Sequence, residues 1–260
     1  MPIVAGLFTL EGRHPYKIIE STGNNMDKFD AELNKLGISL TSRQKEQFDR
    51  YYELLAEWNK VMNLTGITDY DEVNLKHFTD SLTIVRLKDM TEISTLIDIG
   101  TGAGFPGIPI KIVYPHIKTV LLDSLNKRLK FLNTVIDELG LESIETLHGR
   151  AEDHARDMRY REKFDLCVSR AVANLSTLSE YCLPFVKKNG TFVAYKSGDS
   201  DEEIMHAEKA VDILGGKIIK IDKFTLPDTD MGRSLVQIEK VRNTPGKYPR
   251  KAGVPGKEPL

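Results

Sequence analysis

The sequence predicts an α/β protein: a mostly parallel, doubly wound sheet of seven strands with helices on both faces, preceded by an all-helical cap. Three observations predict it. From Thr95 onward, short β-branched runs alternate with amphipathic stretches and turn residues, as repeated βα units require. A glycine-packed turn, Gly100-Thr101-Gly102-Ala103-Gly104, follows the first of those runs directly. Before residue 92 the apolar residues recur at helical spacing instead.

The elements follow in order. Asp27 to Leu36 predicts a short helix stopped by Gly37. Ser39 to Asn63 predicts a long one: Thr41 and Gln44 fit a capping box, and Phe48, Tyr51, Leu55, Trp58 and Met62 share a face. Asp71 to Lys88 predicts a third. Strands are expected at 95–99, 119–123, 144–148, 164–169 and 191–195. The helices between them are 108–114, 126–139 and 175–186, with Lys187-Lys188-Asn189-Gly190 as a turn. A helix over 201–214 stops at Gly215-Gly216, and 217–224 with 234–240 predict a closing antiparallel pair. The expected division is a leader at 1–25 with Met26 as a candidate start, a cap at 26–92, the α/β domain at 93–242 and an arm at 243–260. The arm holds Arg242 at its edge, then Lys247, Arg250, Lys251 and Lys257, with four prolines; it reads as extended, basic and coreless.

Composition excludes some classes. The formal net charge is −2, so any nucleic-acid contact must come from a local patch. The two cysteines, Cys167 and Cys182, make no metal spacing, and a reduced cytoplasmic setting is expected. No run is long enough to span a bilayer. No metal site is expected, and the chain is expected to act as a monomer.

The glycine turn implies a nucleotide-like ligand. Glycines let backbone approach where a Cβ would intrude, and the next helix offers free N–H groups. A dinucleotide fold wants G-x-G-x-x-G. Here the spacing is G-x-G-x-G, with Asp98 two residues before the first glycine. That form resembles motif I of the class I S-adenosylmethionine (SAM) methyltransferases, a Rossmann-like group. An acid at the strand end suits the ammonium of SAM and would repel a pyrophosphate. Asp123 ends the second strand, where an acid commonly holds ribose hydroxyls of either ligand. Ala151-Glu152 follows the third strand, where Glu152 is expected beside the adenine.

Five separated segments sharpen the resemblance: Trp58 to Thr65, Lys76 to Leu82, Asp98 to Gly107, Asp123 to Arg128, and Ser169 to Ala173. Together with the Asn243-Thr244-Pro245 and Tyr248 to Lys251 tail they resemble the RsmG (GidB) family. Those enzymes transfer a methyl group from SAM to N7 of the guanine at position 527 of 16S rRNA in the small ribosomal subunit. Thr101 stands where many members carry alanine, and residues 1–25 have no counterpart. The resemblance places SAM contacts on Gly100, Phe105, Asp123, Ser124, Leu125, Ala151, Glu152 and Arg170. The residues themselves add Asp98, Gly102 and Gly104.

The chemistry agrees without the family. The stretch Ser169 to Asn174 lacks the N/D-P-P-aromatic turn of adenine amino-methylating enzymes, and neither cysteine sits in a Pro-Cys loop. Guanine N7 has a free in-plane lone pair, so its methylation needs alignment and a tolerant field rather than a strong base. Arg170 is the candidate for orienting target or cofactor, with an ion pair to Asp165 as the bland alternative. His77 and Asp80 suit either the RNA-side rim or a structural role. Lys196, Arg242, Lys247, Arg250 and Lys251 are the expected RNA-backbone contacts. Rival functions are a small-molecule or other-RNA methyltransferase, an NAD-dependent oxidoreductase and a non-catalytic RNA-binding scaffold.

Overall fold

The computed structural model describes residues 22–260. Most of the expected leader therefore lies outside the described residues; Thr22 to Asn25 already belong to the first helix, α1 (Thr22–Lys35). The long helix α2 (Ser42–Met62) starts with both halves of the capping box, the Thr41 hydroxyl accepting from Gln44 N–H and the Gln44 side chain accepting from Thr41 N–H. Asn63 closes it in the left-handed region at φ 47°.

The expected third helix is not continuous. It runs as α3 (Tyr70–Val73), a π-helical segment (Asn74–Thr79), α4 (Asp80–Leu82) and a 3-10 turn (Thr83–Arg86). The break has a cause that apolar spacing does not show. Asn74, Thr79, Asp80, Ser81 and Thr83 are all buried, and their polar groups must find partners. The Ser81 hydroxyl donates to His77 O, the Thr83 hydroxyl to Asp80 O, and the Thr79 hydroxyl to Glu32. The Asp80 carboxylate faces two arginines of the sheet domain.

Seven strands follow: β1 (Thr95–Ile99), β2 (Lys118–Asp123), β3 (Ile144–His148), β4 (Phe164–Arg170), β5 (Val186–Ser197), β6 (Gly216–Thr225) and β7 (Gly232–Lys240). Their order is β3-β2-β1-β4-β5-β7-β6. The first five are parallel, whereas β7 pairs antiparallel with both β5 and β6. The intervening helices are α5 (Gly107–Val113), α6 (Asn126–Glu138), α7 (Ala151–His154), α8 (Leu175–Cys182) and α9 (Asp201–Ile213). Two expectations shift here. The helix expected over 175–186 stops at Cys182, where Pro184 enters a 3-10 turn. The residues expected as a turn, Lys187 to Gly190, lie inside β5.

The pleat sorts side chains onto two cores. Leu96, Leu121, Leu166, Val168, Val193 and Leu235 face one way, against α2, α5 and α6. Ile97, Ile99, Cys167, Phe192, Ala194 and Val236 face the other way, against α8 and α9. The cap is bolted to the first face. Gln44 donates to Ile112 O and Val113 O, and Gln47 to Leu139 O, so glutamines of α2 satisfy carbonyls at the ends of α5 and α6.

The C-terminal segment is folded, not extended. Thr244, Tyr248 and Pro255 are buried, and a short helix, α10 (Val254–Lys257), packs on α8. Arg250 forks onto Glu180, Arg161 donates to Thr244 O and Tyr248 O, and the Thr177 hydroxyl donates to Pro255 O. Two of the basic residues expected to contact RNA, Arg242 and Arg250, find acids on elements distant in sequence, Asp212 and Glu180.

Among the described residues no helix is long and apolar enough to cross a membrane. Among the same residues no three or more His, Cys, Asp or Glu side chains come together as a metal-holding cluster.

Candidate active site

Parallel strands deliver their C-terminal ends to one edge, and the glycine turn sits there between β1 and α5. The turn is hung from the acids beside it. Gly102 N–H donates to Asp123 Oδ2 at 2.9 Å, while Thr101 Oγ1 (2.7 Å) and Gly107 N–H (2.9 Å) donate to Asp98 Oδ2. The other Asp98 oxygen, Oδ1, is buried with no partner. Burial pushes the Asp98 carboxyl up to about 7, against the pull of the Thr101 and Gly107 hydrogen bonds.

The glycines divide by role. Gly102, at φ +61°, has only Gly100 O near the place a Cβ would take, at 3.9 Å. This is backbone left open for a ligand to approach. A Cβ on Gly104 would fall 2.6 Å from Ile108 Cδ1 and from the Tyr51 hydroxyl, and one on Gly107 would fall 2.5 Å from Leu121. Those two are packing glycines. A Cβ on Gly100 would meet Val172, from the loop after β4, at 2.5 Å.

Beneath the turn lies an aromatic floor. Phe105 is buried, stacked on His77 at 4.6 Å and tilted against Tyr51 at 5.5 Å, with the Arg170 guanidinium 5.1 Å from its centroid. Tyr51 donates its hydroxyl proton to Ala103 O. A helix of the cap therefore fixes the height of the glycine turn.

A cleft of about 590 Å³ opens above this floor. Gly102, Phe105, Arg170 and Lys196 line it, joined by Thr65, His77, Asp80, Tyr195, Glu203 and Arg233. Arg170 does not pair with Asp165, which takes Lys187 and the Thr95 hydroxyl at the far end of β4. Arg170 donates instead to Asp80 Oδ2 at 2.9 Å, and Arg233 Nε donates to Asp80 Oδ1 at 3.0 Å. The Arg170 fork also faces His77 Nδ1 at 3.4 Å. Nδ1 lies nearer the Lys76 carbonyl, at 3.1 Å, and Nε2 is 2.8 Å from Thr65 Oγ1, so both ring nitrogens have partners. Burial first, then the Arg170 charge, lower the His77 pKa to about 4. This imidazole stays neutral at physiological pH.

Other expected residues lie elsewhere. Asp123 is 2 % exposed and also accepts from Leu125 N–H and Arg128. Ser124 and Leu125 are exposed beside it, at the end of β2. Ala151 is buried. Glu152 is buried too, and its Oε1 accepts from Gly253 N–H of the folded tail, which ties the expected adenine end to the C-terminus. Lys196, at the cleft itself, donates to Ala173 O and Glu203. Arg242 pairs with Asp212 and Arg250 with Glu180; Lys247 lies over the Tyr248 ring, and Lys247 and Lys251 are exposed. Sequence reading missed Arg233 and Glu203. Arg233 reaches the cleft only because β7 is antiparallel to β5, which sets it opposite Ser197 at the ligand edge.

Residues 44–231 match the family model described as GidB, rRNA small subunit methyltransferase G. The chain belongs to the GidB family. Relatives named ribosomal RNA small subunit methyltransferase G are 55% identical over 88% of this chain and 94% of theirs in Lachnoclostridium phytofermentans. In Brevibacillus brevis the figures are 52%, 90% and 98%. A solved chain from the complex of the Haloferax volcanii Trm112 methyltransferase activator with its methyltransferase aligns at TM-score 0.53 and 13% identity. It covers 72% of this chain and 98% of that one, and it supports the fold alone. The chain is thus a methyltransferase of a SAM-dependent family, and the oxidoreductase and scaffold readings are excluded. The family match begins inside α2, so the cap helix that holds the glycine turn is part of the family's fold.

Proposed function

We propose that this enzyme methylates N7 of a single guanine, that at position 527 of 16S rRNA, within the small ribosomal subunit, as a cytoplasmic monomer. The residues around the glycine turn suit SAM on two counts: the unpartnered Asp98 Oδ1 asks for a donor or cation, and Gly102 leaves its face open. When bound, SAM supplies an electrophilic methyl group on a sulfonium. Asp98, the Gly100-to-Gly104 turn, Asp123 and the Ala151-Glu152 turn are the residues assigned to hold it.

One observation carries the choice of N7. Three of the titratable groups lining the cleft are already committed. His77 is neutral with both ring nitrogens engaged, Asp80 is held between two arginines, and Lys196 is paired with Glu203. None of these three is free to strip a proton from an exocyclic amine, and N7 asks for no proton removal. What the residues do supply is position. Phe105 and His77 form a flat floor, and Arg170 is braced by Asp80 to face a phosphate or a guanine edge. Lys247 and Lys251, exposed on the tail, are assigned to the RNA backbone, where contacts position without reading sequence.

Incubating small subunits with labelled SAM and the enzyme, then mapping the modified nucleotide, tests this. One N7-methylguanine is expected. Label on an exocyclic amine, or on many guanines, overturns it.

A further inference from the structure

Nothing in the glycine turn tells guanine from adenine. The Watson–Crick edge of guanine offers two adjacent donors, N1–H and the N2 amine. Adenine presents an acceptor at N1 and no amine at C2. The group complementary to the guanine pair is a carboxylate, which only accepts. A carboxylate reader must also come from an element other than the glycine turn, because N1 and N2 lie across the purine from N7.

Among the described residues lining the cleft, the carboxylates are Asp80 and Glu203. Asp80 is 3 % exposed, and each of its oxygens already accepts from an arginine. Glu203 differs. It stands in the first turn of α9, beyond β5. Its Oε1 accepts from Leu175 N–H and from Lys196, which fixes the side chain in one place. Its Oε2 has no hydrogen bond to any described residue, and the side chain is 32% exposed. A carboxylate anchored through one oxygen and open through the other is built to accept from something outside the chain.

Resting on the N7-guanine reading above, we propose that Glu203 is the specificity-determining residue that reads the Watson–Crick edge of the target base. Oε2 accepts from the N2 amine and N1–H. Lys196 acts through Glu203, as a positioning residue that holds Oε1. The arrangement also separates two tasks: the glycine-turn side of the cleft aligns the methyl transfer, and α9 selects the base.

The test pairs a protein change with a base change. Small subunits are reconstituted with guanine or inosine at the target position; inosine keeps N7 and N1–H but lacks the amine. Single-turnover methylation by the wild type is expected to favour guanine about tenfold or more, the usual size for a hydrogen bond to a charged group. In Glu203→Gln the preference is expected to shrink to about twofold, with S-adenosylhomocysteine affinity and melting temperature unchanged. Glu203→Asp, which draws the charge back by one methylene, carries the same expectation as a second variant. Lys196→Met removes one of the two donors on Oε1 but keeps the carboxylate, and a preference between those of the wild type and Glu203→Gln is expected. Equal preference in wild type and Glu203→Gln overturns the proposal. So does a loss of preference in Glu203→Gln that comes with a fall in S-adenosylhomocysteine affinity, because that assigns Glu203 to loop support. A wild type that labels no rRNA guanine at N7 sinks the underlying reading instead.

Discussion

Two buried acids, on opposite faces of the sheet, are handled in opposite ways. Glu180, on α8, is sealed under the C-terminal tail with a side chain 1% exposed. Arg250 satisfies it completely: its backbone N–H and Nε donate to Oε1, and its Nε and terminal nitrogen donate to Oε2. Asp98, at the end of β1, is just as buried but keeps one oxygen without a donor, and its carboxyl is pushed up to about 7. The first acid holds the fold together and the second leaves it incomplete. A saturated buried ion pair is a clamp; an unsaturated acid beside a glycine turn is the mark of a ligand site.

The comparison is broken most severely at the clamp. Arg250→Ala strands Glu180 as an unpaired buried charge, which costs about 3–5 kcal/mol. Chemical denaturation should register the loss. Arg250→Lys keeps the charge but loses the fork, and a smaller loss is expected. If Arg250→Ala costs less than about 1 kcal/mol, below the cost of leaving a buried acceptor unsatisfied, the tail is not docked in solution. The tail would then be the extended arm its composition suggests.

The glycine turn offers a sharper contrast within one loop. Gly104→Ala drives a methyl group into Ile108 and the Tyr51 hydroxyl, and about 1–3 kcal/mol of overpacking is expected, with left-handed strain added. Gly102→Ala meets open space, so only the strain of φ +61° remains, about 1–2 kcal/mol. Its methyl group instead crowds the cleft. Melting temperature and calorimetry with S-adenosylhomocysteine should therefore move apart: Gly104→Ala lowers mainly the first, Gly102→Ala mainly the second. A common response in both variants would erase the distinction between packing and ligand-facing glycines.

That distinction was illegible in the sequence, where both glycines belong to one spaced motif. The strands and the turn were legible because period-two apolar runs and glycines are local signals. So was the closing antiparallel pair. The π-helical break over Asn74–Thr79 was not: of the buried polar side chains around it, Asp80 finds its partners in Arg170 and Arg233, 90 and 153 residues away along the chain. The docked tail failed to show for the same reason. Arg250 and Gly253 carry no mark of Glu180 and Glu152, and composition alone reads a proline-rich basic segment as solvated. Arg170 was singled out from its place after β4, yet its partner could not be: Asp165 is nearer in sequence, but it sits at the opposite end of the strand. Local rules found the elements; pairings between charged groups on distant elements had to be seen.

The unsaturated acid makes the subtlest prediction, and its sign can be worked out. The Asp98 pKa is raised from 3.8 to about 7, so between these values the folded protein binds a proton that the unfolded chain has released. The stability this contributes is present in full below about pH 3.8 and drains away as pH climbs through about 7. Asp98→Asn should remove that slope from the denaturation profile. Cofactor binding runs the other way. A cationic ligand favours the charged carboxylate, so binding below about pH 7 must expel the proton. The affinity for SAM is expected to rise by up to about tenfold per pH unit as pH approaches 7, which is one proton's worth of linkage, and then to level. Asp98→Asn should bind more weakly and show neither the rise nor the plateau. Calorimetry in two buffers of different ionisation enthalpy measures the proton directly. A wild type that releases none at pH 6 would show that Asp98 is already ionised or keeps its proton when the ligand binds, and either result removes the linkage.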